Sequence, residues 1–161
     1  MRFAAPALLI ILALLFGCAG DQRAGAADTL PVTQMTLPDG GAVTLEVAAT
    51  PHQRNLGLMF RPTLADNRGM LFLFPASDRH AIWMKNMLIP IDILWLDEER
   101  RILHIEANVP PCRQEPCLIY QPPQPARYVI ELAAGAAARA NLRNGTTLPF
   151  TLKEPPPPST R

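Results

Sequence analysis

The sequence predicts a mainly β protein: a single-domain β-sandwich or barrel-like fold of about eight short strands with one or two short helices. Short apolar segments recur along the chain, some alternating with polar residues, and turn-forming Gly, Pro, Asn and Asp separate them. Helical composition is confined to two short stretches, so the helices are expected to connect strands. Without residues 1–17 the 161-residue chain retains enough length for one core.

Residues 1–17 are predicted to be a lipoprotein signal peptide. Arg2 supplies a positive charge, and an almost unbroken apolar run follows it as far as Phe16. This run is shorter than the roughly 20 apolar residues of a membrane-spanning helix. The segment 15–18, Leu-Phe-Gly-Cys, resembles the lipobox of bacterial lipoproteins, whose cysteine carries the lipid. The resemblance implies lipid attachment at Cys18, while the bulky Phe16 leaves simple secretion as the alternative.

The rest of the chain is expected to follow this export signal. Residues 18–30 are interpreted as a tether, 31–153 as the β domain, and 154–161 as a disordered proline-rich tail. The protein would be periplasmic and lipid-anchored to the inner or outer membrane. A formal net charge of +1 without a Lys or Arg block argues against nucleic acid as a partner. The predicted membrane contact is therefore the lipid anchor alone, and any small-molecule or protein partner is unknown.

The first elements are predicted from alternation and turn chemistry. Residues 32–37 and 42–48 are expected to form two strands about the Asp39-Gly40-Gly41 turn. Thr50 and Pro51 are typical N-cap and N1 residues of a helix over 52–58. The apolar run 70–74 predicts a strand that is buried on both faces.

The later elements are predicted in the same way. We expect strands over 83–87, 91–95, 101–107, 128–132 and 146–152, and a helix over 133–142. The segment 109–124 contains five prolines, which predicts a long irregular connection. Cys112 and Cys117 lie within it, and an exported chain favours a disulfide between them. Free thiols and a metal site remain alternatives, although few other metal-ligand side chains lie nearby.

The candidate functional residues centre on segment 80–97. If strands 83–87 and 91–95 form a hairpin, Asp92 lies among leucines and needs a partner. With a four-residue loop Lys85 is expected opposite it, and other registers would offer Asn86, Arg54 or Arg61. Ion pairs of this kind are often structural. The alternative is a pocket with convergent polar groups beside an aromatic side chain. Its ligand-binding candidates are Arg54, Arg61, Trp83, Lys85, Asn86 and Asp92.

Two other functions are weighed against that binding site. An enzyme would use Asp92 with His80, but nothing in the spacing supplies a nucleophile, so catalytic residues are not assigned. A Cu(I) carrier would use the thioethers of Met59, Met70, Met84 and Met87, although methionine more often fills gaps beside aromatic side chains. No metal site and no cofactor are therefore predicted.

Three sequence blocks resemble the domain-of-unknown-function family 192. These are Arg-Asn-Leu-Gly-Leu-Met-Phe-Arg at 54–61, Gly-Met-Leu-Phe-Leu-Phe at 69–74, and Trp-Met-Lys-Asn-Met-Leu-Ile-Pro-Ile-Asp-Ile at 83–93. The resemblance extends over about 32–152, with Met87 where the family usually has threonine. It implies a compact β-sandwich that is often exported, and it implies no reaction. The matched motif positions are Arg54, Met59, Arg61, Met70, Trp83, Lys85, Asn86, Pro90 and Asp92.

The sequence therefore favours a membrane-tethered periplasmic binding or accessory module, with an enzyme or a Cu(I) carrier as the alternatives. Two arginines and a lysine among the candidates would suit an anionic or carboxylate-bearing ligand.

Overall fold

The computed structural model describes Met1 and residues 29–152. This part of the chain contains eight strands and two short helices, as predicted. They are β1 (Val32–Thr36), β2 (Ala42–Ala48), α1 (Pro51–Leu56), β3 (Arg68–Asp78), β4 (Ile82–Trp83), β5 (Ile91–Leu96), β6 (Ile102–Val109), β7 (Ile119–Tyr120), β8 (Ala126–Ala133) and α2 (Ala136–Arg139). The predicted signal peptide, Cys18, nearly all of the tether and the proline-rich tail lie outside the described residues.

Six strands form one mixed sheet in the order β1-β2-β3-β8-β5-β6, and β4 and β7 form a small second sheet. Neighbours in the large sheet are antiparallel except β2 and β3, which run parallel. Parallel neighbours need a crossover connection, and α1 lies within it. β8 follows all other strands in the chain, yet it lies near the middle of the sheet.

The two faces of the large sheet contact two separate apolar clusters. Side chains of successive residues point to opposite faces, so each central strand contributes to both clusters. One face packs against α2 and the C-terminal segment, and includes Leu45, Leu71, Leu94, Leu96, Ile130, Leu132, Leu148 and Phe150. The other face packs against residues near α1 and β4, and includes Leu58, Met70, Phe72, Met84, Met87, Ile93, Trp95 and Val129.

The predicted hairpin between segments 83–87 and 91–95 is wrong. β4 pairs with β7, matching Trp83 with Ile119, whereas β5 lies between β8 and β6. All six residues of β5 are buried. A strand with apolar residues on both faces is stable only inside a sheet that is covered on both sides. This explains why β5 lies between two other strands. Lys85 therefore does not lie opposite Asp92.

The helix predicted over 133–142 is also much shorter than expected. Residues up to Ala133 continue β8, and α2 contains four residues. The strand predicted over 146–152 is reduced to isolated bridges, such as Met35 with Phe150. Pairing in the sheet takes Ala133, and the left-handed backbone of Gly135 (φ 78°) and Asn141 (φ 52°) limits the helix to the residues between them.

The first helix begins where it was predicted, with Thr50 as its N-cap. The Thr50 side chain accepts a hydrogen bond from the Gln53 backbone N–H, and the Gln53 side chain accepts one from the Thr50 backbone N–H. This reciprocal capping box fixes the start of α1 next to Pro51. The helix ends where Gly57 adopts a φ of 49°, a value that favours glycine.

The predicted disulfide is present, because the sulfur atoms of Cys112 and Cys117 are bonded. It closes a short loop whose Cys112 N–H donates to the Met84 carbonyl at 3.0 Å, which attaches the proline-rich connection to the turn after β4. Within the described residues, none of the helices has the length and apolar character needed to cross a membrane.

Candidate functional site

The sequence-predicted site residues are divided between different parts of the molecule. Asp92 is completely buried in β5. Its Oδ1 accepts hydrogen bonds from the backbone N–H groups of Asn108 at 2.8 Å and Gly135 at 3.0 Å. Its Oδ2 accepts one from Ala137 N–H at 2.9 Å. Asp92 therefore connects β6 and the start of α2 to β5, and backbone groups satisfy it in place of the expected Lys85.

Two of the three predicted cationic residues are paired with carboxylates. Arg61 makes a bidentate contact with Glu46, with both N–O distances at 2.7 Å. The hydrogen bond from Arg61 is the main reason that the pKa of Glu46 is lowered, and it also raises the pKa of Arg61. Lys85 lies 2.8 Å from Glu115 at the exposed surface. Neither cation is free to bind an anion without breaking its pair.

Arg54 and Trp83 do lie together, on the wall of a pocket. Arg54 donates through Nη1 to the carbonyls of Ala49 and Leu73, and its guanidinium lies 5.0 Å from the centroid of the Phe74 ring. Among the described residues it forms no salt bridge with a carboxylate. Trp83 is 53% exposed and faces its neighbour Ile119 on β7, which is also exposed.

Asn86 lies next to this wall. It adopts a left-handed backbone conformation with a φ of 58°, which asparagine tolerates better than most residues. Its carbonyl accepts from Phe60 N–H at 3.0 Å, and its Nδ2 lies 3.8 Å from the Met59 sulfur. Asn86 thus joins the turn after β4 to the segment after α1.

The pocket has a volume of about 480 Å³ and lies between α1, β3 and β4. Most of its walls are apolar side chains, and its mouth is flanked by exposed Leu56, Trp83 and Ile119. The lining residues are Pro51, Arg54, Asn55, Leu56, Gly57, Leu58, Met59, Phe72, Phe74, Ala81, Ile82, Trp83, Met87, Ile119 and Glu131. This size and composition are typical of small-molecule sites.

Glu131 contributes a buried carboxyl group to this pocket from β8, the strand near the middle of the sheet. Its residue is 5% exposed, and its Oε2 has no hydrogen-bond partner within the part of the chain that the structure describes. Burial raises the pKa of Glu131 to about 8, and the positive charge of Arg61 opposes that rise. At neutral pH the carboxyl is therefore mostly protonated.

Sequence reasoning missed Glu131, although a signal was present. Glu131 follows Val129 and Ile130 and precedes Leu132 and Ala133 in an apolar run. The same observation, an acidic residue among apolar neighbours, drew attention to Asp92. Applied to β8, it would have identified Glu131 as a second buried carboxyl.

The residues named for the two alternative functions lie as follows in the described part of the chain. The Asp92 oxygens bond to backbone N–H groups, while the His80 ring stacks on Phe74 and its Nε2 lies 3.0 Å from the Ala76 carbonyl. The acid-base pair is thus not formed. Met70, Met84 and Met87 are buried in the apolar cluster below the pocket, as core side chains are. No group of three or more His, Cys, Asp or Glu side chains close enough for a metal occurs in the described ranges.

Segments from all three sequence blocks that carried the family resemblance meet at the pocket. Leu58 comes from the first block, Phe72 from the second, and Trp83 from the third. The model of the family DUF192, described as Uncharacterized ACR, matches residues 34–150. The chain belongs to the DUF192 family. The match to the family covers almost the whole β domain.

Relatives of this DUF192 protein include proteins of two archaea. A UPF0127 protein of Thermococcus gammatolerans is 30% identical over 112 residues, which cover 68% of either chain. A UPF0127 protein of Thermococcus sibiricus is 29% identical over the same length and the same shares.

Two crystal structures share the fold. A protein of Sinorhizobium meliloti, proposed to be a transcription regulator, is 33% identical with a TM-score of 0.67. The match covers 74% of this chain and 92% of that one. A protein of unknown function from Novosphingobium aromaticivorans is 30% identical with a TM-score of 0.67, covering 78% and 89% respectively.

Proposed function

We propose that this DUF192 protein is a binding module for a small, mainly apolar molecule, and that the pocket containing Glu131 is its binding site. The observation that carries the proposal is the buried Glu131 carboxyl in the pocket lining, whose Oε2 has no hydrogen-bond partner among the described residues. An unsatisfied buried polar group costs about 1–3 kcal/mol, so such groups need an explanation. A bound ligand that completes the hydrogen bond supplies one.

The exposed aromatic and aliphatic side chains at the mouth support the same function. Trp83 and Ile119 lie on paired strands, both more than half exposed, and both line the pocket. A ligand with an apolar body would bury part of each side chain on binding. About 25 cal/mol is gained for each Å² of apolar surface removed from water.

Of the three cations expected to bind an anionic ligand, one is available at the pocket. Arg61 and Lys85 are paired with Glu46 and Glu115, so Arg54 is the candidate cation that remains at the pocket wall. We retain Arg54 as a group that orients a polar part of the ligand near the mouth.

The proposed module is exported and lipid-anchored in the periplasm. The support is the N-terminal sequence with Cys18, together with the Cys112–Cys117 disulfide, which belongs to oxidising compartments. A binding module tethered in this way would work beside a membrane, either as a carrier or as an accessory to a membrane-bound partner.

The binding function is tested by filling the mouth of the pocket. Ala81 is exposed and lines the pocket, whereas Ala65 is exposed and does not line it. We expect Ala81→Trp to abolish binding of the neutral, apolar probe N-phenyl-1-naphthylamine in a fluorescence titration, while Ala65→Trp binds like wild type. Equal binding by both variants, or no binding by wild type, would contradict the proposal.

A further inference from the structure

We propose that the pocket selects a neutral head group that accepts a hydrogen bond, such as an amide or ketone carbonyl, and that the Glu131 carboxyl donates this bond. The inference rests on the proposed binding function and assigns the ligand class of the same site. It excludes primary amines as preferred ligands, even though an acidic side chain in a pocket would ordinarily suggest a cation.

The surroundings of Glu131 determine which form of the carboxyl is stable. Glu131 lies between Met70 on β3 and Ile93 on β5, so its direct neighbours in the sheet carry no charge. Arg61 is the charged residue that acts on it electrostatically, and Arg61 is already bonded to Glu46. Arg54, on the same pocket wall, donates to the carbonyls of Ala49 and Leu73. No carboxylate–cation pair involving Glu131 occurs among the described residues.

A protonated carboxyl provides one O–H donor, and this decides the ligand chemistry. With a pKa of about 8, Glu131 is mostly neutral at pH 7, and Oε2 is left without a partner. A carbonyl oxygen on the ligand would accept the O–H without placing a charge in the apolar pocket. An ammonium group would need Glu131 to ionise and would itself lose its hydration, and both changes oppose binding.

An anionic head group is also disfavoured at the inner wall. A carboxylate would be buried among apolar side chains, and Arg61, the cation whose charge acts on Glu131, is held by Glu46. Burial of an ion without a partner costs far more than burial of a neutral amide. The inner wall thus selects for a neutral acceptor, while the mouth near Arg54 tolerates other polar groups.

The proposal is tested with two probes that share one octyl chain, 2-decanone, whose carbonyl only accepts hydrogen bonds, and octylammonium. Calorimetric titrations of the purified protein at pH 6 and pH 9.5 compare them. We expect 2-decanone to bind at least tenfold more weakly at pH 9.5, because the Glu131 O–H donor is lost above its pKa of about 8. Octylammonium keeps its charge at both pH values and is expected to bind more tightly at pH 9.5.

Glu131→Gln is the matched control, because its amide donates a hydrogen bond and does not titrate. We expect this variant to bind 2-decanone with the same affinity at pH 6 and pH 9.5, and to bind octylammonium weakly at both. Glu131→Met, which has no donor, should bind 2-decanone at pH 6 as weakly as wild type does at pH 9.5. This second variant keeps the test decisive if Glu131→Gln fails to fold.

The outcomes separate this inference from the binding function itself. Octylammonium binding that is tighter than 2-decanone binding at pH 6 would overturn the inference. So would an equal pH response of 2-decanone in wild type and Glu131→Gln. In both cases the block by Ala81→Trp would still support a binding pocket. If Ala81→Trp has no effect on either probe, the pocket is not the site, and both proposals fail together.

Discussion

Two buried carboxyl groups lie on neighbouring strands, on opposite faces of one sheet. Asp92 in β5 pairs with Leu132 of β8, and Glu131 of β8 pairs with Ile93 of β5. Asp92 shares its face with the cluster under α2 and bonds to three backbone N–H groups. Glu131 faces the pocket, and its Oε2 has no partner within the described residues. The two carboxyl groups are thus similarly buried, but Asp92 is fully hydrogen-bonded, whereas the Oε2 atom of Glu131 is not.

The difference comes from the local backbone. The β5–β6 register shifts opposite Asp92, and Asn108 at that bulge has a φ of 53°, which turns its N–H toward the carboxylate. Gly135, with a φ of 78°, directs a second N–H to it before α2. Glu131 lies in a regular part of the ladder, where neighbouring strands use the backbone N–H groups. Asp92 is therefore structural, and the unsatisfied Glu131 marks the candidate site.

The largest effect is expected from Asp92→Ala. The substitution leaves three N–H groups without their acceptor, and each buried unsatisfied group costs about 1–3 kcal/mol. We expect the free energy of unfolding to fall by about 3–5 kcal/mol in urea denaturation, even though the cost of burying the carboxylate disappears. The exposed Asp78→Ala is the control and should change stability by less than about 0.5 kcal/mol. A loss below about 1 kcal/mol for Asp92→Ala would show that Asp92 is not a structural anchor.

The second effect is a pH dependence of stability caused by Glu131. Its pKa is raised from 4.5 to about 8 on folding, so the native state binds more protons than the unfolded state between these values. The free energy of unfolding should therefore fall as pH rises through this window, by about 1.4 kcal/mol for each pH unit. Unfolding of wild type minus that of Glu131→Gln, measured at several pH values, isolates this slope. Parallel curves for the two proteins would mean that Glu131 is not buried as a neutral acid.

A smaller effect is expected from Arg61→Gln. The Arg61–Glu46 pair is bidentate but about one-third exposed, so its loss should cost about 1 kcal/mol or less, and less still at high salt. Because the Arg61 charge lowers the pKa of Glu131, the substitution should also move the end of the Glu131 stability slope to higher pH. Urea denaturation at low and high salt measures the loss of stability. An unchanged dependence of stability on pH would show that Arg61 does not influence Glu131.

The smallest effect is expected from Lys85→Ala. Lys85 and Glu115 form a pair in which both side chains are about half exposed or more, and solvent screens such pairs. The urea midpoint should stay within error of wild type, and Glu115→Gln should behave in the same way. A clear drop in the midpoint would show that the pair holds the disulfide loop in place. Lys85 would then belong with Asp92 among the structural residues.

Local features of the fold were predictable from the sequence, and long-range ones were not. The alternating strands, the Thr50 cap and the Cys112–Cys117 pair depend on residues close in the chain, and all three were predicted. The pairing of β5 with β8 depends on burial of distant segments, so the expected hairpin with residues 83–87 was wrong.

The same distinction between local and long-range features explains why only part of the candidate site was predicted. Arg54 and Trp83 were identified because they lie in motif blocks, and both line the pocket. The true partners of Asp92 are backbone N–H groups, and a sequence pattern of side chains does not show where those groups point. The sequence of β8 would have identified Glu131 as a buried carboxyl, but not the cavity that it lines. That cavity is formed by α1 and β4, far away in the sequence.

The position of β8 has a consequence for how this protein acquires its structure. β8 joins β3 to β5, yet residues 126–133 are among the last of the sheet to be synthesised. Without them, no strand joins β1–β3 to β5–β6, so the large sheet cannot be completed. Completion of the sheet therefore requires pairing between segments that are distant in the sequence, which is a slow kind of contact to form.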